Sequence, residues 1–312
     1  MSSSQAEADQ AIHALAKPKR SVKRWVLIGL LMLTALWWAR RQYQQRLANS
    51  ETGYRPPSTD NVTGGSTTGD GAAKANESVV SHPLDPVLVL AESIESKIET
   101  EIIDYTAVIT KRERIKGKLY DAEVMEARIR SPRPDKESKL AVYLKFIPPS
   151  SAAGREVIWV DGSNNGQLLS YQFRVPVKLS PTSMLAMMGN KYPITEIGLL
   201  KMVEKLIEKG QRDKELGDCK VEIFQGQLVG GRSCKLIQVT HPEKRDKFDF
   251  HIAQIYIDEE LGLPIRYAAY LWPNSPGEAP QLEEEYTYSD LKVNVGLTDK
   301  DFDPKNPKYN FP

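Results

Sequence analysis

Two cysteines and four histidines are the whole stock of thiol and imidazole ligands in this 312-residue chain, and its 42 basic residues are matched by 41 acidic ones. That balance leaves no long-range field to gather a polyanion, so nucleic acid is excluded as an expected partner. No Gly-x-Ser-x-Gly elbow, phosphate loop or dinucleotide fingerprint occurs, which removes the commonest hydrolase, nucleotide and dehydrogenase chemistries. Of His13, His82, His241 and His251, only the last two fall within the expected folded domain, with Asp246 and Asp249 between them. The spacing in HPEKRDKFDFH fits no known metal-ligand pattern, and a hydrolase built on this pair is the weakest reading. The expected catalytic, metal and cofactor sets are therefore empty.

Long apolar runs are scarce too. The one present is WVLIGLLMLTALWWA, Trp25 to Ala39, flanked by Lys17, Lys19, Arg20, Lys23 and Arg24 before it and Arg40, Arg41 and Arg46 after it. At about 1.5 Å per residue it covers only ~22 Å of a roughly 30 Å hydrocarbon core, so Ser21, Val22 and the stems of Lys23, Arg24 and Arg40 complete a span over 21–40. A cleaved signal would need small residues close behind the run, where Trp37, Trp38, Arg40 and Arg41 stand, and a lipoprotein signal would need a cysteine there. An uncleaved anchor is the expectation, with a cleaved signal and a buried soluble helix as alternatives. The basic excess before the run predicts a single-pass protein of the inner (cytoplasmic) membrane, its N-terminus cytoplasmic and the rest periplasmic, with the lipid bilayer as partner through 21–40.

Residues 1–20 then read as a polar cytoplasmic arm. Residues 41–82 read as a flexible linker, because Ala48 to Ser81 is dominated by Gly, Ser, Thr, Asn and Asp, which bury too little apolar surface to offset ordering. The remaining 83–312 is long enough for one domain with a real core.

Asp85 followed by Pro86 opens a helix over about 86–103, with Asp85 as N-cap and apolar residues recurring at three and four. The period then becomes two. Strands are expected at 105–115, 119–130, 139–147, 155–160, 167–175, 219–229, 232–241, 250–258, 263–272 and 283–295, with charges marking a wetted face. Between them, a short apolar segment at Met184–Met188 ends at Gly189, and a helix capped by Thr195 runs through Lys209 with Gly210 as its C-cap. Arg112, Glu113, Arg114 and the run Glu283, Glu284, Glu285 read as solvated charges. The fold class is α+β, a strongly curved antiparallel sheet of about ten strands, a half-barrel capped by helices and preceded by one transmembrane helix.

Such a sheet can enclose an apolar cavity. Val142, Leu144 and Phe146 share a face, as do Trp159 with Val157, and Leu169, Tyr171 and Phe173; Met184, Met187 and Met188 supply an adaptable lid. A solidly packed core is the alternative.

The runs DEELGLPIRYAAYLWP (258–273) and YTYSDLKVNVGLTDKDFDP (286–304), with DYTAVITKRERI and GGRSCKLIQVTHP, resemble the LolA/LolB-like outer-membrane lipoprotein carrier superfamily. They are similar more closely to an uncharacterised planctomycete family of envelope proteins carrying a domain of unknown function. The resemblance covers about 84–304 and implies a helix-capped half-barrel that holds acyl chains or another apolar ligand. The anchor departs from that pattern, since the carriers are released and the receptors are held by a lipidated cysteine. The expected function is a membrane-tethered periplasmic module that binds a lipid, lipoprotein or other long apolar ligand. The alternative is a structural or interaction module of the envelope with a solid core and no ligand; under either reading no enzymatic activity is expected.

An exported location invites a disulfide between Cys219 and Cys234. If Gly230-Gly231 is the hairpin turn, Cys234 faces Gln227 and Cys219 lies about 26 Å further along, beyond the ~7 Å a disulfide allows. Two unpaired cysteines are predicted.

Overall fold

The structure, a computed structural model, describes residues 54, 56–58, 82–133, 138–172 and 175–312. The arm, the apolar run at 21–40, most of the linker and Phe173 lie outside the described residues. Among the described residues no helix is long and apolar enough to cross a membrane.

In chain order the elements are α1 (Asp85–Glu101), β1 (Asp104–Ile115), β2 (Lys118–Leu119), β3 (Glu123–Arg130), β4 (Ala141–Ile147), β5 (Glu156–Val160), β6 (Leu168–Gln172), β7 (Val175–Leu179), α2 (Leu199–Leu216), β8 (Lys220–Val229), β9 (Arg232–Thr240), β10 (Ile252–Asp258), β11 (Pro264–Leu271) and β12 (Gln281–Val293). They form a twelve-stranded open sheet in the order β7-β6-β5-β4-β3-β1-β12-β11-β10-β9-β8, with β2 paired to β1. Every pairing is antiparallel. Two meanders therefore run outward from β1, and the last strand returns to lie beside the first.

Both helices bury their apolar stripes on one face of this sheet, Ile94 and Ile98 from α1 and Leu199, Val203 and Ile207 from α2 meeting Tyr105, Ile129, Val142 and Ile237 in a common core. The α2 helix departs from expectation at both ends. A 3-10 turn, Ile194–Glu196, precedes it, Gly198 at φ 115° is its N-cap, and it continues past Gly210 to Leu216. Gly210 is a packing residue, since a Cβ there would stand 2.9 Å from Leu88 Cδ2 on α1. The glycine thus lets the helices approach, a constraint with no local signature. Asp85 is the first helical residue of α1, not its cap; its carboxylate accepts the His82 N–H at 2.8 Å.

The other face of the sheet is not simply wet. Asp104 accepts the N–H groups of Val295, Gly296 and Leu297 at 2.7, 3.1 and 2.8 Å, and Asn294, in the left-handed region at φ 55°, accepts from Ile103 N–H and donates to Glu101 O. These bonds turn the C-terminal segment across the outer face, where Phe302 and Tyr309 cover Ala141, Tyr143 and Ile158. Tyr309 stacks on Tyr143 at 4.0 Å, and Asn310 donates twice to the buried Glu156.

The glycine hairpin has the predicted register, with Val229 opposite Arg232 and Gln227 opposite Cys234; an irregularity between Phe224 and Gln227 shifts the rest. Both cysteines are unpaired and buried.

Candidate functional site: a cavity between the sheet and helix α2

A cavity of about 470 Å³ lies on the helix-covered face. Its floor is Ile109, Met125, Leu144, Phe146, Val157 and Leu168, one wall is Val175, Val177 and Leu179 of β7, and the opposite wall is Ile194, Ile197, Met202 and Leu206. Pro181, Leu185, Ala186 and Met188 stand at its mouth.

β7 is the element that sequence reasoning missed. Pro176 masked the alternation of Val175, Val177 and Leu179, yet proline is tolerated on an edge strand, and β7 is an edge.

The expected ligand residues divide. Leu144, Phe146 and Met188 line the cavity. Val142 and Trp159 are opposed across β4 and β5 and pack in the main core, with Trp159 Nε1 donating to Gly166 O at 3.2 Å. Leu169 and Tyr171 belong to the other face: Ser170 pairs with cavity-lining Val157, so Leu168, Ser170 and Gln172 point inward and Tyr171 meets Phe311 outside. Met184 is 87% exposed, and neither it nor the half-buried Met187 lines the cavity. Methionine content alone did not tell which residues of the 184–188 segment turn inward.

One end of the cavity is polar, and Glu113 and Glu284, expected to be solvated, are buried there. Period two along β1 puts Lys111 and Glu113 on the face of Ile109, and Glu113 is buried. On β12 a register irregularity between Ala269 and Tyr270 leaves Glu283 without an opposite residue. Such a bulge carries two successive side chains to one side, and Glu283 and Glu284 both reach Lys191 Nζ, at 2.7 and 3.0 Å. Glu285 does not line the cavity; it is buried on the other face, opposite Ala268, and bound by Arg266 at 2.8 and 2.9 Å.

Glu284 is the centre of this end. Its Oε1 accepts from Lys209 Nζ at 3.1 Å and from Tyr267 OH at 3.3 Å, and its Oε2 from Tyr192 OH at 3.0 Å and Lys191. Burial opposes its ionisation, but Lys209 and Lys191 outweigh burial and hold the carboxyl below its ordinary range. Burial, reinforced by Glu284, pushes the hydroxyls of Tyr192, Tyr267 and Tyr286 well above the usual tyrosine range, so they stay protonated and act as donors. Glu113 accepts from Tyr286 OH, from Lys111 at 3.2 Å and from the Lys191 N–H at 2.9 Å. All four carboxylate oxygens are thus engaged by protein donors, an arrangement that pins the 190–193 loop and α2 to the sheet. The signal was available in the alternation of Glu284, Tyr286 and Tyr288.

His241 and His251 stand apart from the cavity lining. The His241 ring is buried against Phe248 at 3.9 Å, with Nδ1 3.1 Å from Phe250 O and Nε2 3.7 Å from Asp213 Oδ2. Burial lowers its pKa, leaving a neutral core imidazole. Among the described residues no group of three or more His, Cys, Asp or Glu could hold a metal ion.

A family profile described as protein of unknown function, DUF1571, matches residues 102–311, from the end of α1 through the C-terminal segment. The chain belongs to the DUF1571 family. The matched region contains the cavity floor, its polar end and the segment crossing the outer face, so the cavity is part of the DUF1571 domain. No curated protein matches the chain. Among solved structures, this DUF1571 chain is similar to lipoprotein LppX of Mycobacterium tuberculosis (14% identity, 69% of this chain and 98% of that one, TM-score 0.38). It is similar also to a LolA superfamily protein from Nitrosomonas europaea (12%, 69% and 96%, TM-score 0.27). A third is the Pseudomonas aeruginosa MucA/MucB complex (13%, 70% of this chain and 60% of that one, TM-score 0.41).

Proposed function

We propose that this domain binds the apolar part of an amphiphile, a lipid or lipoprotein, in the cavity under β7 and α2, as a periplasmic module held to the inner membrane by residues 21–40. The observation that carries the reading is the cavity's lip. Of the ten large apolar residues exposed among the described ones, Val175, Val177, Met184, Leu185 and Met188 sit together on β7 and the 184–188 segment beside the mouth. Scattered exposed apolar residues are ordinary, but a cluster beside an apolar cavity marks a surface that meets an apolar partner. The volume lies within the ~300–1,000 Å³ of small-molecule pockets, and each methylene transferred from water contributes about 0.8 kcal/mol.

Native mass spectrometry of the compact unit Leu47–Pro312, produced without the residues before it and purified without detergent, tests this. The expected result is a co-purified amphiphile that is reduced in Val177→Glu, because Val177 is 36% exposed and tolerates a charge in the fold while placing it on the path of an acyl chain. A wild-type protein of bare chain mass that also binds no fluorescent fatty acid would refute the proposal and favour a structural module. Cell fractionation of the full chain tests the tether, and recovery in the soluble periplasm would remove it.

A further inference from the structure

The stretch read as linker is not free throughout. Tyr54 lies on the outer face of the sheet against Ile252, Ala268, Tyr270 and Leu282, its ring edge-on to Tyr270 with centroids 5.4 Å apart and planes at 87°. Four residues on, Ser58 is held by Gln227 on β8: its N–H donates to Gln227 Oε1 at 3.2 Å, and Gln227 Nε2 donates to Ser58 O at 3.3 Å. A side-chain amide thereby reads both main-chain groups of one residue, as a neighbouring strand would.

The dimensions agree. Tyr270 and Gln227 lie on β11 and β8, separated by β10 and β9, so three strand spacings of ~4.8 Å give roughly 14 Å. A separation of four residues at ~3.1 Å each would cover about 12 Å if extended, and Pro56-Pro57 favours an extended form before docking, which lowers the entropy lost. The C-terminal segment covers a different part of the outer face, over β4 and β5, and the patch around Tyr270 is covered by Tyr54 together with Leu119 of β2.

We propose that residues 54–58 are a latch that docks in cis on the outer face between Tyr270 and Gln227, making this patch a binding site for an extended Tyr-x-Pro-Pro-Ser segment supplied by the chain itself. The consequence for position rests on residues 21–40 being an anchor. Residues 41 to 53 then alone join anchor to domain, and their fully extended reach is about 45 Å, against about 145 Å for residues 41 to 81 if undocked. The latch holds the domain close to the bilayer that would supply its apolar ligand, and releasing it triples the reach.

The test uses the full chain in detergent and, in parallel, the form beginning at Leu47, so that failure of the anchor reading leaves the docking measurement intact. Ser58→Cys with Gln227→Cys in a Cys234→Ala background, which removes the thiol opposite residue 227, oxidised mildly and mapped by peptide mass spectrometry, should give a 58–227 link within one chain in both forms. Adding Tyr54→Ala should slow that link about tenfold, since an edge-on ring pair and its buried area are lost while the fold is untouched. Circular dichroism checks that the variants fold. A 58–227 link between two chains would overturn the cis latch in favour of an exchanged segment. Absence of the link, or a rate indifferent to Tyr54→Ala, would overturn the site.

Discussion

Glu284→Gln removes one charge and almost no volume, so it isolates the ionic part of the cavity's polar end. The carboxylate is fully engaged by Lys191 at 3.0 Å, Lys209 at 3.1 Å, Tyr192 at 3.0 Å and Tyr267 at 3.3 Å. Breaking a fully buried pair costs about 3–5 kcal/mol, chiefly because the partner charge is stranded. Here the stranding is incomplete. Lys191 keeps Glu283, and the two lysine side chains are 26% and 20% exposed, enough for their ammonium groups to turn toward water. The expected loss is therefore about 2–3 kcal/mol, read from urea unfolding of the form beginning at Leu47 at pH 7. Because the folded carboxyl lies below its ordinary value, its contribution is fully present above the unfolded value of about 4.3 and disappears as pH falls through the folded value. The gap between wild type and Glu284→Gln should stay constant from pH 8 to 6 and close only below about 4.3. A difference under about 0.5 kcal/mol at pH 7, where surface changes usually fall, would refute the pinning role of Glu284.

Other substitutions probe the frame around the cavity. Gly210→Ala should be nearly neutral, the helix gain of about 1 kcal/mol offsetting displacement of the Leu88 tip, whereas Gly210→Val should overpack the α1–α2 contact and lower Tm by roughly 3–10 °C in a thermal melt. Glu285→Leu should cost about 3–5 kcal/mol by leaving the buried Arg266 uncompensated, and Arg266→Met with Glu285→Leu should recover most of it; equal losses in single and double variants would show that packing rather than charge is at stake. Alkylation of the native protein should label neither cysteine, since burial pushes the Cys219 thiol up to about 11 and Cys234 up to about 12, and alkylation after unfolding without reductant should add two labels; none would contradict the hairpin register.

Local physics was legible along the chain. Alternating apolar residues mark strands because side chains on a pleated strand change face at every step, and Gly230-Gly231 predicted the Gln227–Cys234 register because only glycine enters that turn without strain. What the pattern could not tell was which face a charge joins. Glu113 and Glu284 look like solvent charges when each strand is read alone. They are buried because β12 returns beside β1 and brings their side chains to Lys191 and Lys209, cations from a loop and a helix more than 70 residues away in sequence. A bulge at Glu283 broke the alternation, and a proline hid β7, the strand that walls the cavity. Gly210 read as a helix end because a close approach by Leu88 leaves no mark on its neighbours in the chain. The composition of 48–81 indicated a tether, yet Tyr54 and Ser58 are held by Tyr270 and Gln227 across the sheet. Sequence thus determined every long strand but β7, the hairpin and the existence of the two helices, which depend on residues within a few positions of one another. The cavity, its polar end and the docked segment depend on groups that only the folded sheet brings within hydrogen-bond reach, and these only the tertiary structure decided.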